Sequence, residues 1–281
     1  MPQRRAHRRE LSVRAAVLGK PIGHSLSPVI HNAGYAAAGL PGWSYTAIEC
    51  AEAELPGLVA GLGAQWAGVS LTMPLKEAAL AVAGEVAPVA AAVGAANTLV
   101  RRTDGSWYAE NTDVVGMVEV LTAAGVPAGA QVTVLGAGGT ARAALAAAAR
   151  LAAAGVTVLA RRPAAIDELH PVAAALGVPL AGADWADAPR LDADVVISTV
   201  PRGVADPLAG AVRWRPGCVY FDAVYDPWPT PLAVAAEAAG CPVVSGLDLL
   251  LAQAVGQFEL FTRRTAPRTA MAAALAAARR T

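Results

Sequence analysis

The sequence predicts an α/β protein of two domains, in which both domains contain a mostly parallel sheet. The chain has 281 residues, 55% of them hydrophobic, a length that favours two modest domains over one. Apolar runs rich in β-formers alternate with Ala-rich segments from residue 13 to the end, and this alternation is typical of parallel sheets with crossover helices. Near the middle of the chain, a glycine-rich turn separates a strand pattern from a helix pattern.

The first unit begins with a strand pattern at residues 13–18. Ser27 and Pro28 follow it and predict the start of a helix, with Ser27 as N-cap and Pro28 in the first turn. Three further strands are expected in this unit, with helices between them, at residues 45–49, 67–71 and 97–101.

The second unit begins with a helix after Asp113, which could itself be the N-cap. A strand at 131–135, a helix to about 153 and a strand at 156–160 then predict a βαβ unit. Later strands are expected at 194–199, 218–222 and 243–244. Two final helices, at about 247–262 and 267–280, are expected to pack back on the first unit.

The glycine-rich turn fits the fingerprint of dinucleotide-binding βαβ units, with alanine in place of the third glycine. Gly136 permits the tight turn, Gly138 lets the backbone approach a pyrophosphate, and Ala141 allows close packing of helix on strand. N–H groups at the helix N-terminus would hold the phosphates. The candidate cofactor residues of this Rossmann-type turn are Gly136, Ala137, Gly138, Gly139, Thr140 and Ala141.

Two arginines, Arg161 and Arg162, follow the second strand of this unit. An enzyme specific for NAD would place an acidic residue there for the ribose hydroxyls. Guanidinium groups can instead hold a 2′-phosphate with two hydrogen bonds and stack on adenine, which favours NADP(H). The alternative is a solvated pair of arginines.

The charge balance argues against large anionic partners. The chain has 22 basic and 22 acidic residues, so it has no net field to hold nucleic acid or a membrane surface. The basic N-terminus is interpreted as a disordered tail. It is not interpreted as a signal peptide, because the apolar stretch after it is too short for the hydrophobic region of one. This tail contains Arg4, Arg5, Arg8 and Arg9. No transmembrane helix is expected, since apolar runs are interrupted well before about 20 residues.

The three cysteines, Cys50, Cys218 and Cys241, are far apart and lack metal-ligand spacing. Neither a disulfide framework nor a metal site is therefore predicted, and a cytoplasmic location fits best.

Only two of the 22 basic residues are lysines, Lys20 and Lys76. Arginine stays protonated, whereas lysine can release a proton. A lysine in such an arginine-rich chain therefore suggests a site where proton transfer matters, although either lysine could be a remnant.

Several short segments carry the remaining evidence, and all of them except the glycine-rich turn are, taken singly, explained equally well by helix caps and turns. In chain order they are Pro-Ile-Gly-His-Ser-Leu-Ser-Pro at 21–28, Leu-Thr-Met-Pro-Leu-Lys at 71–76, Gly-Ala-Ala-Asn-Thr-Leu at 94–99, Asn-Thr-Asp at 111–113 and Gly-Ala-Gly-Gly-Thr-Ala at 136–141. Together with a Tyr-Asp-Pro segment at 225–227 and Gly-Leu-Asp-Leu-Leu-Leu-Ala-Gln at 246–253, they resemble the shikimate dehydrogenase family in order, spacing and chemistry. The resemblance covers the whole chain after the basic tail.

The resemblance implies reversible, NADPH-dependent reduction of 3-dehydroshikimate to shikimate on the route to chorismate and the aromatic amino acids. It implies Lys76 and Asp113 as the catalytic pair, with Lys76 moving the proton and Asp113 orienting it. It places Gly246 beside the nicotinamide. For the substrate it implies that Ser25, Ser27 and Tyr225 lie at the carboxylate and that Thr72, Asn97 and Gln253 bind the hydroxyls. Ser70-Leu71 departs from the Asn-Val common in the family, and the 160–163 segment lacks the family's full NADP motif.

The resemblance divides the chain into a substrate-binding domain, residues 1–112 plus 251–281, and an NADP domain, residues 113–250. The partner expected is a small molecule, and the assembly a monomer or homodimer. One alternative is a relative that acts on quinate, with a relaxed cofactor preference or a preference for NAD. Others are a non-catalytic NADP-binding sensor and a different reductase, such as a folate-pathway dehydrogenase, which would not need the paired serines.

Overall fold

The computed structural model describes residues 12–190 and 192–279, so the basic N-terminus lies outside the described residues. Twelve strands form two sheets in this part of the chain. The strands are β1 Val13–Gly19, β2 Trp43–Glu49, β3 Trp66–Leu71, β4 Glu85–Val86, β5 Thr98–Arg101, β6 Trp107–Glu110, β7 Gln131–Leu135, β8 Gly155–Ala160, β9 Leu180–Asp184, β10 Val195–Ser198, β11 Val219–Asp222 and β12 Val243–Ser245.

Helices cover the faces of the sheets. The α-helices are α1 Ser27–Ala37, α2 Leu55–Gly61, α3 Ala79–Val82, α4 Pro88–Val93, α5 Thr112–Ala123, α6 Gly139–Arg150, α7 Pro163–Asp167, α8 His170–Leu176, α9 Pro231–Ala238, α10 Gly246–Thr262 and α11 Arg268–Ala278. Short 3-10 turns occupy Glu52–Glu54, Trp185–Arg190 and Asp206–Leu208. No helix in the described ranges is long and apolar enough to cross a membrane.

The first sheet has the strand order β2-β1-β3-β5-β6-β4 and is mixed. The strands β1, β2 and β3 are parallel, as predicted, but β5 is antiparallel to both β3 and β6. The pairing of β5 with β6 is antiparallel because these two strands are joined by a short turn at 102–106 rather than by a crossover helix. The carboxyl ends of the three parallel strands define the edge from which Lys20 and Thr72 continue.

The second sheet has the order β12-β11-β10-β7-β8-β9, and all five pairings are parallel. The chain reverses its direction of winding between β7 and β10, which lie side by side at the centre. Parallel α/β sheets bind ligands at the carboxyl edge of such a switch point. The glycine-rich turn follows β7 at this edge. The α/β class with a Rossmann-type second sheet is thus confirmed.

The two predicted helix caps differ from the structure. Helix α1 begins at Ser27 itself and its N-cap is Leu26, which makes no side-chain cap bond. The N-cap of α5 is Asn111, whose side chain accepts a hydrogen bond from the backbone N–H of Asp113. The Asp113 carboxylate therefore does not cap the helix.

Helix α10 joins the two units. It packs on α5 and also on β3 and β5 of the first sheet, while α11 packs on α1. The approach is tight, since a Cβ added at Gly68 would lie 2.1 Å from the ring of Phe261. The division of the chain into 1–112 plus 251–281 and 113–250 stays a prediction, and α10, which begins at Gly246, runs through its second boundary.

His31 is fully buried on α1 and its ring stacks on Tyr45 at a centroid distance of 4.1 Å. Desolvation lowers the pKa of His31 from 6.5 to about 3. The unfolded chain therefore binds a proton that the folded chain does not, and stability present above pH 6.5 is lost as the pH falls towards 3.

We expect the free energy of unfolding to fall by about 1.4 kcal/mol because of His31 when the pH is lowered from about 7.5 to about 5.5. Chemical denaturation at the two pH values measures this loss. His31→Phe keeps an aromatic ring on Tyr45 without a titrating group. Between the two pH values, the unfolding free energy of this variant should therefore fall by about 1.4 kcal/mol less than that of the unaltered chain. An equal pH dependence in both proteins would contradict the assignment.

Candidate active site

Two adjoining cavities open between the sheets. The larger, about 720 Å³, extends along the glycine-rich turn, and the smaller, about 340 Å³, lies against the edge of the first sheet. Three residues, Thr72, Lys76 and Thr140, line both cavities. A Cβ added at Gly139 would lie 3.8 Å from Lys76 Cδ, so this lysine lies close to the glycine-rich turn of the second unit.

Lys76 and Asp113 form an ion pair, with Nζ 2.7 Å from Oδ2. Lys76 lies in the turn after β3, where its carbonyl accepts a hydrogen bond from Ala96 N–H at 2.7 Å. Asp113 lies in the first turn of α5. The side chains are only 20% and 9% exposed, so water screens their attraction less than at a surface. The structure thus holds the Lys76 nitrogen at a fixed place beside a carboxylate.

Asn97 lies in the floor of the smaller cavity and is 2% exposed. Its Oδ1 accepts a hydrogen bond from Thr112 N–H at 2.8 Å, and its Nδ2 donates to Thr112 Oγ1 at 3.0 Å. A backbone N–H can only donate, so this contact sets the orientation of the Asn97 amide. Thr112 also ties Asn97 to the turn that carries Asp113.

A buried chain of hydrogen bonds supports this floor and was not predicted. Gln257 Nε2 donates to Thr98 Oγ1 at 3.0 Å and to the carbonyl of Asn97 at 3.2 Å. Ser70 Oγ donates to Gln257 Oε1 at 2.7 Å, and Tyr45 OH donates to Ser70 Oγ at 2.6 Å. The one sequence signal for Gln257 is its position four residues after Gln253, on the same face of α10.

The remaining predicted substrate residues also line the smaller cavity. They are Ser25, Ser27, Thr72, Tyr225 and Gln253. Ser25 Oγ lies 3.4 Å from the N–H of Ser27 at the start of α1. Gln253 Nε2 donates to the carbonyl of Leu250 at 2.8 Å. Burial raises the pKa of Tyr225, which keeps its phenol neutral and able to donate a hydrogen bond.

Gly246 lines the smaller cavity, not the larger one. It begins α10, and a Cβ added there would lie 2.2 Å from the carbonyl oxygen of Ala223. Glycine is therefore required because the segment that leads to Tyr225 packs directly on the helix start.

We expect Gly246→Ala to displace the 223–225 segment, since the new methyl group meets backbone atoms that cannot rotate away. The unfolding free energy should fall by about 1–3 kcal/mol. Thermal or chemical denaturation measures this change. Gly210→Ala is the matched control, because a Cβ there meets nothing within 4 Å, and an equal effect in both variants would contradict the packing argument.

The larger cavity fits a dinucleotide. Gly136 has a φ of +105° and a Cβ there would lie 2.7 Å from Thr199 Oγ1, whereas a Cβ at Gly138 meets nothing within 4 Å. The first glycine is therefore required by the turn, and the backbone at the second is open to a ligand. Ala141 is fully buried and does not line the cavity, in line with a packing role.

Arg161 and Arg162 line the larger cavity just after the end of β8 and are exposed. Within the described ranges neither arginine has an ion-pair partner. Trp185, which the sequence reading missed, lines the same cavity. Two unpaired guanidinium groups and an indole there suit an adenosine that bears an extra phosphate. No cluster of metal-ligating side chains occurs among the described residues.

Comparisons with known proteins match the chain to one family at both of its ends and along most of its length. A model of the shikimate dehydrogenase substrate binding domain matches residues 17–99, and one of the shikimate 5′-dehydrogenase C-terminal domain matches residues 246–276. The chain is similar to a shikimate dehydrogenase (NADP(+)) of Moorella thermoacetica, with 40% identity over 267 residues, which are 90% of this chain and 88% of the relative.

Solved structures give the same picture. The crystal structure of Mycobacterium tuberculosis shikimate dehydrogenase matches with a TM-score of 0.86 and 47% identity, covering 94% of this chain and 99% of that one. The shikimate 5-dehydrogenase of Thermus thermophilus, in complex with NADP(H) and shikimate, matches with a TM-score of 0.83 and 33% identity, covering 95% and 99%.

Proposed function

The chain belongs to the shikimate dehydrogenase family, and we propose that the site described above interconverts 3-dehydroshikimate and shikimate with NADP(H). The enzyme is an NADP-dependent oxidoreductase that acts on a CH–OH group. One observation supports our assignment of the site most strongly. All eight side chains that the resemblance places on the substrate or in catalysis line one cavity of about 340 Å³.

Lys76 is the proton donor and acceptor in this proposal. The bound nicotinamide supplies the hydride in reduction and accepts it in oxidation. In reduction the ketone oxygen gains negative charge, and Lys76 Nζ gives it a proton. In oxidation the same nitrogen takes the hydroxyl proton. Asp113, at 2.7 Å from Nζ, holds the lysine in place and faces a substrate hydroxyl.

Polar groups at opposite sides of the cavity hold the ring. Ser25 and Ser27 receive the carboxylate at the start of α1, where backbone N–H groups favour an anion. Asn97 offers the second N–H of its Nδ2 to a hydroxyl, because the first donates to Thr112 Oγ1 and its Oδ1 accepts from Thr112 N–H. Thr72 and Gln253 bind the other polar groups of the ring, and Tyr225 approaches from the second sheet.

The glycine-rich turn 136–141 would hold the pyrophosphate of NADP at the start of α6, with Arg161 and Arg162 on its 2′-phosphate. We place the enzyme in the cytoplasm, because its three cysteines are all free and buried, as expected in a reducing compartment. We propose a small-molecule substrate as its partner, without nucleic acid or membrane, and a monomer or homodimer.

A genetic experiment tests this function in a cell. A bacterial strain without its own shikimate dehydrogenase needs added aromatic amino acids, and expression of this chain should remove that need. Expression of Lys76→Ala to the same level should not. Growth that still depends on the supplement with the unaltered chain would contradict the proposed function.

A further inference from the structure

Met73 is an unusually exposed apolar side chain, and its position is not explained by packing. Its exposure is 66%, the highest among the exposed large hydrophobic residues, which also include Val29, Val115 and Val234. Unlike the three valines, Met73 lines the larger cavity. A single exposed apolar residue needs no explanation elsewhere on a surface, but in a ligand cleft it indicates a contact that forms on binding.

The backbone around Met73 is held firmly while the side chain is free. Its carbonyl accepts a hydrogen bond from Lys20 N–H at 3.1 Å. Thr72 N–H donates to the carbonyl of Leu18 at 2.9 Å, and Leu75 N–H donates to the carbonyl of Thr72 at 2.8 Å. The direction in which Met73 leaves the first sheet is therefore fixed by the strands below it.

The position of Met73 indicates which end of a bound dinucleotide it would contact. Its neighbours Thr72 and Lys76 line both cavities, whereas Met73 lines only the larger one. It therefore lies beside the seam where hydride transfer takes place, and on the cofactor side of that seam. Arg161 and Arg162 line the same cavity at the end of β8, on the second sheet.

We propose that Met73 is a cofactor-binding residue whose thioether packs against the nicotinamide end of NADP(H) and excludes water beside the reacting carbon. This inference rests on the proposed function. Thioethers pack well on flat aromatic surfaces, and the flexible side chain adapts to both the oxidised and the reduced ring. Met73 belongs to the first unit, whereas the glycine-rich turn belongs to the second. Residues of both units would therefore contact the cofactor.

Binding measurements on three variants test the proposal. Met73→Ala should raise the Kd of NADP about tenfold, because most of a large apolar side chain loses its contact. Met73→Leu should restore the affinity of the unaltered chain, and Val115→Ala is the matched control at an exposed residue outside both cavities. Adenosine 2′,5′-bisphosphate, the adenine half of NADP, should bind all these proteins equally.

Oxidation by hydrogen peroxide gives a second readout on the unaltered chain. Among the methionines of residues 12–279, Met73 should form its sulfoxide first, since Met117 and Met271 are 0% exposed. Saturating NADP should slow oxidation of Met73, as followed by peptide mass spectrometry, and shikimate alone should not. Equal protection by shikimate alone would overturn the proposal. In that case the substrate itself, or closure of the cleft around it, would shield Met73 from peroxide.

The possible failures are distinguishable. An unchanged Kd of NADP in Met73→Ala, with the unaltered chain binding NADP and turning over shikimate, overturns this inference alone. An equal loss of affinity for the adenine half also overturns it, because Met73 would then act at the other end of the cofactor. Absence of NADP binding to the unaltered chain overturns the inference together with the proposed function.

Discussion

Replacing Lys76 with alanine should lower kcat by roughly 10²–10⁴-fold, the usual contribution of a positioned acid or base. The Kd of NADP should hardly change, because the glycine-rich turn and the two arginines remain. Only the proton donor and the partner of Asp113 are lost. Steady-state kinetics with shikimate and NADP, combined with a fluorescence titration of NADPH, measures both quantities.

Lys20→Ala is the matched control, since Lys20 is the only other lysine of the chain. It lies on the surface, is 54% exposed, and pairs with Glu49 at 3.4 Å. Its loss should leave kcat within about twofold, because exposed ion pairs contribute little. Near-normal turnover of Lys76→Ala would remove Lys76 from the mechanism.

Replacing Arg161 and Arg162 together with alanine should raise the Kd of NADP by about 100-fold, or about tenfold for each arginine, given a reduced hydrogen-bond contribution at an exposed site. The Kd of NAD should change little, because NAD lacks the 2′-phosphate that these groups are expected to hold. Titration of both dinucleotides into the double variant measures the change in preference.

Arg150→Ala is the control for loss of an exposed positive charge in the same sheet unit. Arg150 ends α6 and does not line the cavity, so its loss should not alter the preference for NADP. Raising the salt concentration should weaken NADP binding more in the unaltered chain than in the double variant. An equal loss of NAD and NADP affinity in the double variant would contradict a role specific to the 2′-phosphate.

The cofactor unit could be predicted from sequence because its signals are local. A strand, a glycine-rich turn and a helix follow one another within about 20 residues of chain, as they do in dinucleotide-binding domains. β7 and β8 were predicted to within one residue at their ends. Helix α6 ends at Arg150, three residues before the predicted end.

Three strands were missed, each for a physical reason. β4 has only two residues, too few for a pattern. β6 contains Glu110 and lies against β5 in an antiparallel pair, so it lacks the continuous apolar run that indicates a buried strand. β9 is an edge strand with no buried residue, so it lacks the hydrophobic period of a buried strand.

The support beneath Asn97 could not be predicted from the sequence. Gln257 and Asn97 are 160 positions apart in the chain, and their contact depends on how α10 crosses the first sheet. Ser70 was noted only as a departure from the family pattern, yet it links Tyr45 to Gln257. Motifs identified the residues expected at the substrate, and tertiary packing supplied those that hold them.

The placement of Gly246 illustrates the same limit. Its motif implied a place beside the nicotinamide, and the structure puts it in the wall of the smaller cavity against Ala223. Its place beside the nicotinamide stays a prediction. What the sequence could not indicate is that the glycine is required by a backbone contact at the start of α10.

Four parallel assays of the purified protein test the central claim most directly. Shikimate and quinate are each offered with NADP and with NAD, and reduced nicotinamide is followed by its absorbance. We predict turnover chiefly with shikimate and NADP, because relatives at 40% and 37% identity are shikimate dehydrogenases (NADP(+)) and because the arginine pair is expected to hold the 2′-phosphate. Turnover chiefly with quinate or NAD would contradict the specificity, and no turnover in any of the four would contradict the enzyme activity itself.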